Sequence, residues 1–278
     1  MTIRRALQMR EAQELGHPEG HDYRAGSPHL KHIELHDRLV ALIEDAVGDA
    51  TRRGAPQTVL EIGAGHGGFT EPMLARGYVV TATEMSRPSL QYLEDHFASN
   101  PNFSAVLVAD NSLSLPEIKN VRFSNILCAS VLHHIPDYQA AVQALVDEHL
   151  APGGAFVALQ DPLWYPSLRR RDFLLSRMAY FMWRLTQGDY GRGMHTRMRR
   201  FRGQFTESEP SDMVEYHVVR KGVNQDALLR ELVPRFESVN LRNYWSTQSA
   251  LLQEVGQHLG IHNTFAIVAL GRHSPTQP

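Results

Sequence analysis

Cysteine is nearly absent from this chain: Cys128 is the only one in 278 residues. A single thiol cannot close an internal disulfide, so cross-links do not hold the fold together. Cys128 lies in the apolar run NILCASVL, which reads as a core strand, and the thiol is taken as buried rather than nucleophilic. Long apolar runs are missing as well. None approaches the ~20 residues of a membrane span, and the N-terminal MTIRRALQMREAQ lacks the apolar core of a signal peptide, so the expected location is the cytoplasm. The formal net charge of −2 means that overall charge recruits neither nucleic acid nor an anionic membrane. Internal repeats and low-complexity tracts are lacking too. What is present, 42% hydrophobic and 21% charged residues, suffices for one large α/β domain or two small ones.

The richest stretch is Val59 to Gly68, VLEIGAGHGG. A short apolar run carrying Glu61 breaks into Gly63, Gly65, Gly67 and Gly68, the pattern of a buried strand turning sharply into a helix. Glycines remove the Cβ atoms that would hold a ligand away, and the following helix offers unpaired N–H groups. The pattern predicts a cradle for a nucleotide-like ligand.

Ahead of it, residues 1 to 15 read as a charged helix stopped by Gly16, Pro18 and Gly20, with loop up to His29. A second helix follows, with an apolar stripe of Leu30, Ile33, Leu35, Leu39, Leu42, Ile43 and Val47, and residues 48 to 57 read as a polar connection. From Val59 strands alternate with helices. Strands are expected near 58 to 62, 78 to 83, 104 to 109, 123 to 129 and 154 to 160, with helices near 67 to 76, 87 to 99 and 138 to 150. Such alternation implies right-handed crossovers and a parallel sheet covered on both faces. APGG, from Ala151 to Gly154, reads as the turn into the fifth strand.

The alternation stops from Pro162 to about Gly222, where one long helix and then the arginine-rich RGMHTRMRRFRGQF are expected. It resumes with a helix at 223 to 235, a strand at 236 to 245, a helix at 246 to 259 and a last strand at 263 to 272, the two strands suited to an antiparallel hairpin. The expected fold is thus an α/β, doubly wound, seven-stranded, mostly parallel sheet of Rossmann-like type. Residues 58–161 and 222–272 form its domain, 1–57 an N-terminal helical cover, and 162–221 an inserted lid of the kind that carries specificity.

Laid out this way, the chain resembles the class I S-adenosylmethionine-dependent methyltransferases over roughly residues 30 to 161 and 222 to 272. Five ordered stretches carry the resemblance: Glu61-x-Gly63-x-Gly65-x-Gly67, the strand VVTATE closing on Glu84, LVADNSLSLP with Asp110 and Asn111, ILCASVLHHIPD, and LAPGGAFVALQDP. The resemblance implies S-adenosylmethionine as cofactor. Around it would lie Glu61, Gly63, Ala64, Gly65 and Gly67, with Glu84 on the ribose hydroxyls, Met85 beside it, Asp110 and Asn111 at the adenine, and Ser130 after the fourth strand. Glu84 follows Gly63 by 21 positions, close to the ~20 at which a strand-end carboxylate meets a ribose. Gly63-x-Gly65-x-x-Gly68 also satisfies the dinucleotide fingerprint, which keeps an NAD-dependent oxidoreductase as the competing reading. The preceding Glu61, the Asp110 and His133 segments and the terminal strand pair argue against it.

Methyl transfer needs nucleophile, methyl and sulfur in line, so positioning and exclusion of water supply most of the catalysis, and a base is needed only for an acceptor that is protonated. Candidates near the strand ends are His133, His134 and Asp161, with His217 where the insertion leads back to the sheet. Tyr23 and His29 in the N-terminal cover, Tyr190 and His195 in GDYGRGMHTR, and Glu215 and Tyr216 in DMVEYHVVR are candidates for contacting the acceptor. His29, His32 and His36 have helical spacing but lack Cys or carboxylate partners, so no metal site is expected. The insertion holds twelve Lys or Arg against six Asp or Glu, a local +6 on a remainder of −8. That charge suits an anionic acceptor, such as a carboxylate or a carrier-bound phosphopantetheine arm, and equally suits pairing with the acidic body or with a second subunit in a homodimer. RNA would call for a wider basic surface. The reading is O-methylation of a small molecule of specialised metabolism, with N- or C-methylation, or a cofactor-dependent step such as cyclisation, as alternatives.

Overall fold

The apolar runs after Thr58 form strands because they are buried on both faces, which selects β-branched and large aliphatic side chains in unbroken series. The computed structural model describes residues 27–108, 115, 118–185 and 221–274. In chain order it contains α1 (Pro28–Lys31), α2 (Ile33–Arg52), β1 (Thr58–Ile62), α3 (Thr70–Ala75), β2 (Val79–Glu84), α4 (Arg87–His96), β3 (Phe103–Leu107), β4 (Phe123–Ala129), α5 (Tyr138–Ala144), β5 (Leu150–Pro162), α6 (Arg170–Leu185), α7 (Gln225–Leu232), β6 (Phe236–Tyr244), α8 (Ala250–His258) and β7 (Thr264–Arg272). The seven strands lie in the order β3-β2-β1-β4-β5-β7-β6, all parallel except β7, which runs antiparallel to both neighbours. The doubly wound mostly parallel sheet is therefore as expected. Its order reverses between β1 and β4, the switch point at whose strand carboxyl ends open α/β sheets bind ligands. Among the described residues no helix is long and apolar enough to cross a membrane.

One sheet face, including Leu60, Ile126, Phe156 and Ile267, is packed with residues of α5 and α7. The other, including Val59, Leu127, Val157 and Leu159, is packed with Leu39, Ile43 and Val47 of α2. Cys128 is fully buried in β4, and burial pushes its thiol pKa well above the ordinary value, so it is a core residue.

Several boundaries differ from expectation for identifiable reasons. The N-terminal helix is broken at His32, whose extended backbone lets Nε2 reach the Thr247 carbonyl oxygen at 2.7 Å. Its buried stripe is Leu35, Leu39, Ile43, Ala46, Val47 and Ala50, which leaves Ile33 exposed and carries the helix on to Arg52 through the expected polar connection. APGG is part of β5 rather than a turn before it, and a shift of register against β4 between Phe123 and Asn125 absorbs the irregularity. The helix expected from Ser246 starts at Ala250, because Ser246 and Thr247 are buried in the preceding loop and Ser249 caps the helix.

α6 realises the described part of the insertion's long helix. Ala179 is buried with Trp245 and Ile261, while Leu174, Met178, Phe181 and Met182 remain exposed. Gly256 on α8 lies flat beneath Trp245, whose indole N–H donates to the Leu252 carbonyl at 2.8 Å. A Cβ at this position would sit 2.3 Å from the indole nitrogen. Gly256→Ala is expected to destabilise by about 2 kcal/mol, lowering Tm by roughly 4–8 °C in a thermal melt.

Candidate active site

The turn after β1 reverses the chain over the carboxyl edge of the sheet. Gly63, Gly65 and Gly67 hold φ of 65°, 58° and 80°, a region open to glycine at little cost. A side chain at Gly63 would also strike Val131, and one at Gly67 would strike Phe97. The loop is fastened to the end of β2. Ala64 N–H donates to the Thr83 carbonyl at 3.1 Å, and Gly63 N–H donates to Thr83 Oγ1 at 3.3 Å.

Two carboxylates flank this turn. Glu84 accepts from Gly65 N–H at 2.9 Å on Oε2 and from Met85 and Ser86 N–H at 2.8 and 3.0 Å on Oε1. Burial pushes its pKa up, and these three amides oppose the shift by stabilising the charged form. Glu61 is buried beneath the loop and accepts from Thr70 Oγ1 at 2.5 Å. Burial raises its pKa to about 7 against the opposing hydroxyl bond. The Met85 side chain joins the core on the α5 side.

A second cluster stands at the ends of β4 and β5. Ser130 follows β4 with φ 55°, unusual for a residue with a side chain, and its N–H donates to the Leu159 carbonyl at 2.8 Å. A short 3₁₀ turn over Leu132–His134 comes next. His133 Nδ1 lies 2.7 Å from Asp161 Oδ1, and the same oxygen accepts the His133 backbone N–H at 3.0 Å. Asp161 is fully buried. An ionised carboxylate can only accept, which fixes the proton on Nδ1 and makes Nε2 the basic nitrogen. The His134 ring lies 3.9 Å from that of His133 between centroids. Two of the predicted catalytic residues, 28 positions apart, are thus brought into direct contact.

The N-terminal segment covers the glycine loop. The His29 and His36 rings stack on Phe69 at 5.6 and 5.3 Å, His36 Nε2 donates to the Gly68 carbonyl at 3.0 Å, and Leu30 packs where a Gly68 side chain would be. His29 is 6% exposed, and among the described residues its Nδ1 has no hydrogen-bond partner. Burial, reinforced by His36 and His133, lowers its pKa from 6.5 to about 3. The undocked chain takes up a proton below pH 6.5 that the buried ring refuses down to about pH 3, so stability is full above 6.5 and is lost as pH falls between those values. At pH 5 the loss is about 2 kcal/mol. Thermal melts at pH 7.5 and 5 should therefore show a smaller difference in Tm for His29→Gln than for the unaltered chain; equal differences would remove His29 from the account.

Tyr23, Asp110, Asn111, Tyr190, His195, Glu215, Tyr216 and His217 lie outside the described residues. Residues that pattern reading did not single out include Gln160, Tyr244, Ser246 and Thr247, because nothing in local periodicity marks a polar residue that another strand will hold. A glutamine interrupting the apolar run FVALQDP was the only signal.

A family described as "Methyltransferase domain" matches residues 60–156. Over 115 residues the chain is 32% identical to the ribosomal RNA small subunit methyltransferase A of Synechococcus sp., the match covering 40% of each chain. Over 99 residues it is 32% identical to the ubiquinone biosynthesis O-methyltransferase of Alkalilimnicola ehrlichii, covering 34% of this chain and 38% of that one. It thus spans about two fifths of the length of these curated relatives. The crystal structure of N-methyltransferase NodS from Bradyrhizobium japonicum with S-adenosyl-L-homocysteine has the same fold, with a TM-score of 0.54 at 15% identity over 95% of this chain and 98% of that chain. Residues 60–156 thus match a methyltransferase domain, and the sheet order and the glycine turn fastened to Glu84 agree with the class I S-adenosylmethionine-dependent type that the sequence resembles.

Proposed function

We propose that this chain transfers the methyl group of S-adenosylmethionine to a hydroxyl oxygen of a small molecule, with His133 as general base and Asp161 holding it. The observation that carries the choice of acceptor is the buried Asp161–His133 contact at 2.7 Å. A neutral amine offers its lone pair without help, whereas a hydroxyl must lose its proton as the new bond forms, and a carboxylate-oriented imidazole is suited to take it. In that step His133 Nε2 would take the hydroxyl proton as the oxygen accepts the methyl, and S-adenosylmethionine, held by Glu84 and the glycine turn, would supply that methyl and leave as the neutral thioether.

The residues present fit the cofactor. Glu84 Oε2 accepts one backbone amide and retains capacity for a ribose hydroxyl, and the positive-φ glycines keep side chains off the loop surface. When bound, S-adenosylmethionine supplies an electrophilic methyl on a sulfonium. The chain's own contribution is to bind it along the loop, to close the pocket with α1 and α2, and to hold the base. A small anionic or carrier-bound acceptor remains the reading for the basic insertion, and the specialised-metabolism setting rests on the same feature.

Calorimetry tests the cofactor, with S-adenosylhomocysteine expected to bind and NAD to give no heat; the reverse would overturn the reading. Transfer of labelled methyl to phenols and alcohols, set against amines of similar shape, tests the acceptor atom. Label appearing only on nitrogen would sink the oxygen assignment.

A further inference from the structure

The contact between Asp161 and His133 depends on a one-residue slip in β5. In the pairing with β7, Ala158 faces Ile267 and Leu159 faces Ala266, but the next pair is Asp161 with Phe265, so Gln160 is an extra residue, a β-bulge. Along β5, Phe156 and Ala158 belong to the α5 and α7 side, and Val157 and Leu159 to the α2 side. Strict alternation would put Asp161 on the α2 side with Leu159. The bulge returns it to the side of Phe265, where His133 stands. Gln160 adopts φ 64° to make this turn, a conformation that a residue with a side chain keeps only when its surroundings hold it.

Those surroundings come from the far strand. Tyr244, at the end of β6, reaches across β7. Its hydroxyl accepts from Gln160 N–H at 2.9 Å and donates to Gln160 Oε1 at 3.1 Å, while Gln160 Nε2 donates to Ser246 Oγ at 2.6 Å. Ser246 is itself fixed, its N–H donating to Asn263 Oδ1 at 2.9 Å and its carbonyl accepting from Asn263 Nδ2 at 2.8 Å. We propose that Tyr244 and Ser246 are positioning residues that hold the Gln160 bulge and thereby aim Asp161 at His133. Burial pushes the Tyr244 pKa up, so it remains a phenol and keeps both halves of its paired contact with Gln160. A consequence for turnover rests on the methyl-transfer reading above; the claim about geometry does not.

The test follows the His133 Nδ1 proton by NMR, assigned through its loss in His133→Gln. In Tyr244→Phe, which keeps the ring and deletes only the hydroxyl, this downfield resonance is expected to vanish or to exchange at least tenfold faster, with S-adenosylhomocysteine affinity within twofold. An unchanged resonance overturns the proposal. Should Tyr244→Phe fail to fold, Gln160→Ala and Gln160→Gly replace it. Alanine bears the same positive φ without the side-chain bonds and should lose the resonance, whereas glycine accepts that φ and should retain it; retention in both overturns the proposal. Loss of the proton in Tyr244→Phe with turnover untouched would refute the base role and leave the positioning intact. Loss of turnover in Asp161→Asn with the proton retained in Tyr244→Phe would do the opposite.

Discussion

Asp161→Asn is expected to slow methyl transfer roughly 10²- to 10⁴-fold, the range over which a positioned general base contributes, while leaving S-adenosylhomocysteine affinity within a few-fold. The substitution is nearly isosteric in a site closed to solvent, so shape is preserved and only the carboxylate is lost. Without that charge, the imidazolium formed on accepting the hydroxyl proton has no counter-charge, although the amide oxygen can still accept from Nδ1 and from the His133 backbone N–H. The loss should therefore fall on kcat and leave the KM for the cofactor nearly unchanged. Stability should hold or rise, because a buried carboxylate costs desolvation that an amide avoids. Steady-state kinetics with a thermal melt measure both. A full rate with a protic acceptor would mean that the proton leaves by another route.

Why this pair could not be read as a pair from the sequence is instructive. His133 and Asp161 were each legible as strand-end residues, because β4 and β5 are continuous apolar runs whose ends are sharply marked. Their meeting depends on Gln160, since counting alternate residues along FVALQD puts Asp161 on the wrong face. A bulge has no periodicity of its own, and here it is held by Tyr244 and Ser246, more than 80 residues away. The parallel sheet was legible for the converse reason: burial on both faces imposes one kind of residue on each central strand, whatever its partners. The N-terminal cover falls between these cases. Its helix showed in the stripe from Leu35 to Val47, but the break at His32 is decided by a carbonyl of Thr247, which belongs to a loop over two hundred residues later.

The loop and the cover also explain why several histidines stand close together without converging on one point. His32 reaches Thr247 in the loop after β6, whereas His36 and His29 fasten the cover to the glycine turn at Gly68 and Phe69. Thr247 is adjacent to Ser246, which holds Gln160. The segment that closes over the glycine turn and the bulge that aims Asp161 therefore meet in one short stretch, Ser246 and Thr247.

Glu84→Ala is expected to weaken S-adenosylhomocysteine binding by roughly 10²-fold and to lower stability as well. A hydrogen bond from a ribose hydroxyl to the carboxylate contributes about 1.5–3 kcal/mol, which is about 10- to 10²-fold in affinity. The structure adds a second cost. Glu84 is the acceptor for the amides of Gly65, Met85 and Ser86, so its removal unfastens the glycine turn from β2 and leaves three donors to find water. The three amides mean that folding should suffer along with binding, with Tm falling by several degrees. Glu84→Gln separates the contributions. The amide oxygen can still accept from one side of the cluster, whereas the NH₂ faces donors on the other, so the turn should be partly restored while ribose recognition is not. Calorimetry and melting on the two variants should then show smaller losses of both affinity and Tm for glutamine, which should still bind less tightly than the unaltered chain. If both bind like the unaltered chain, Glu84 is a loop fastener and the ribose is held elsewhere.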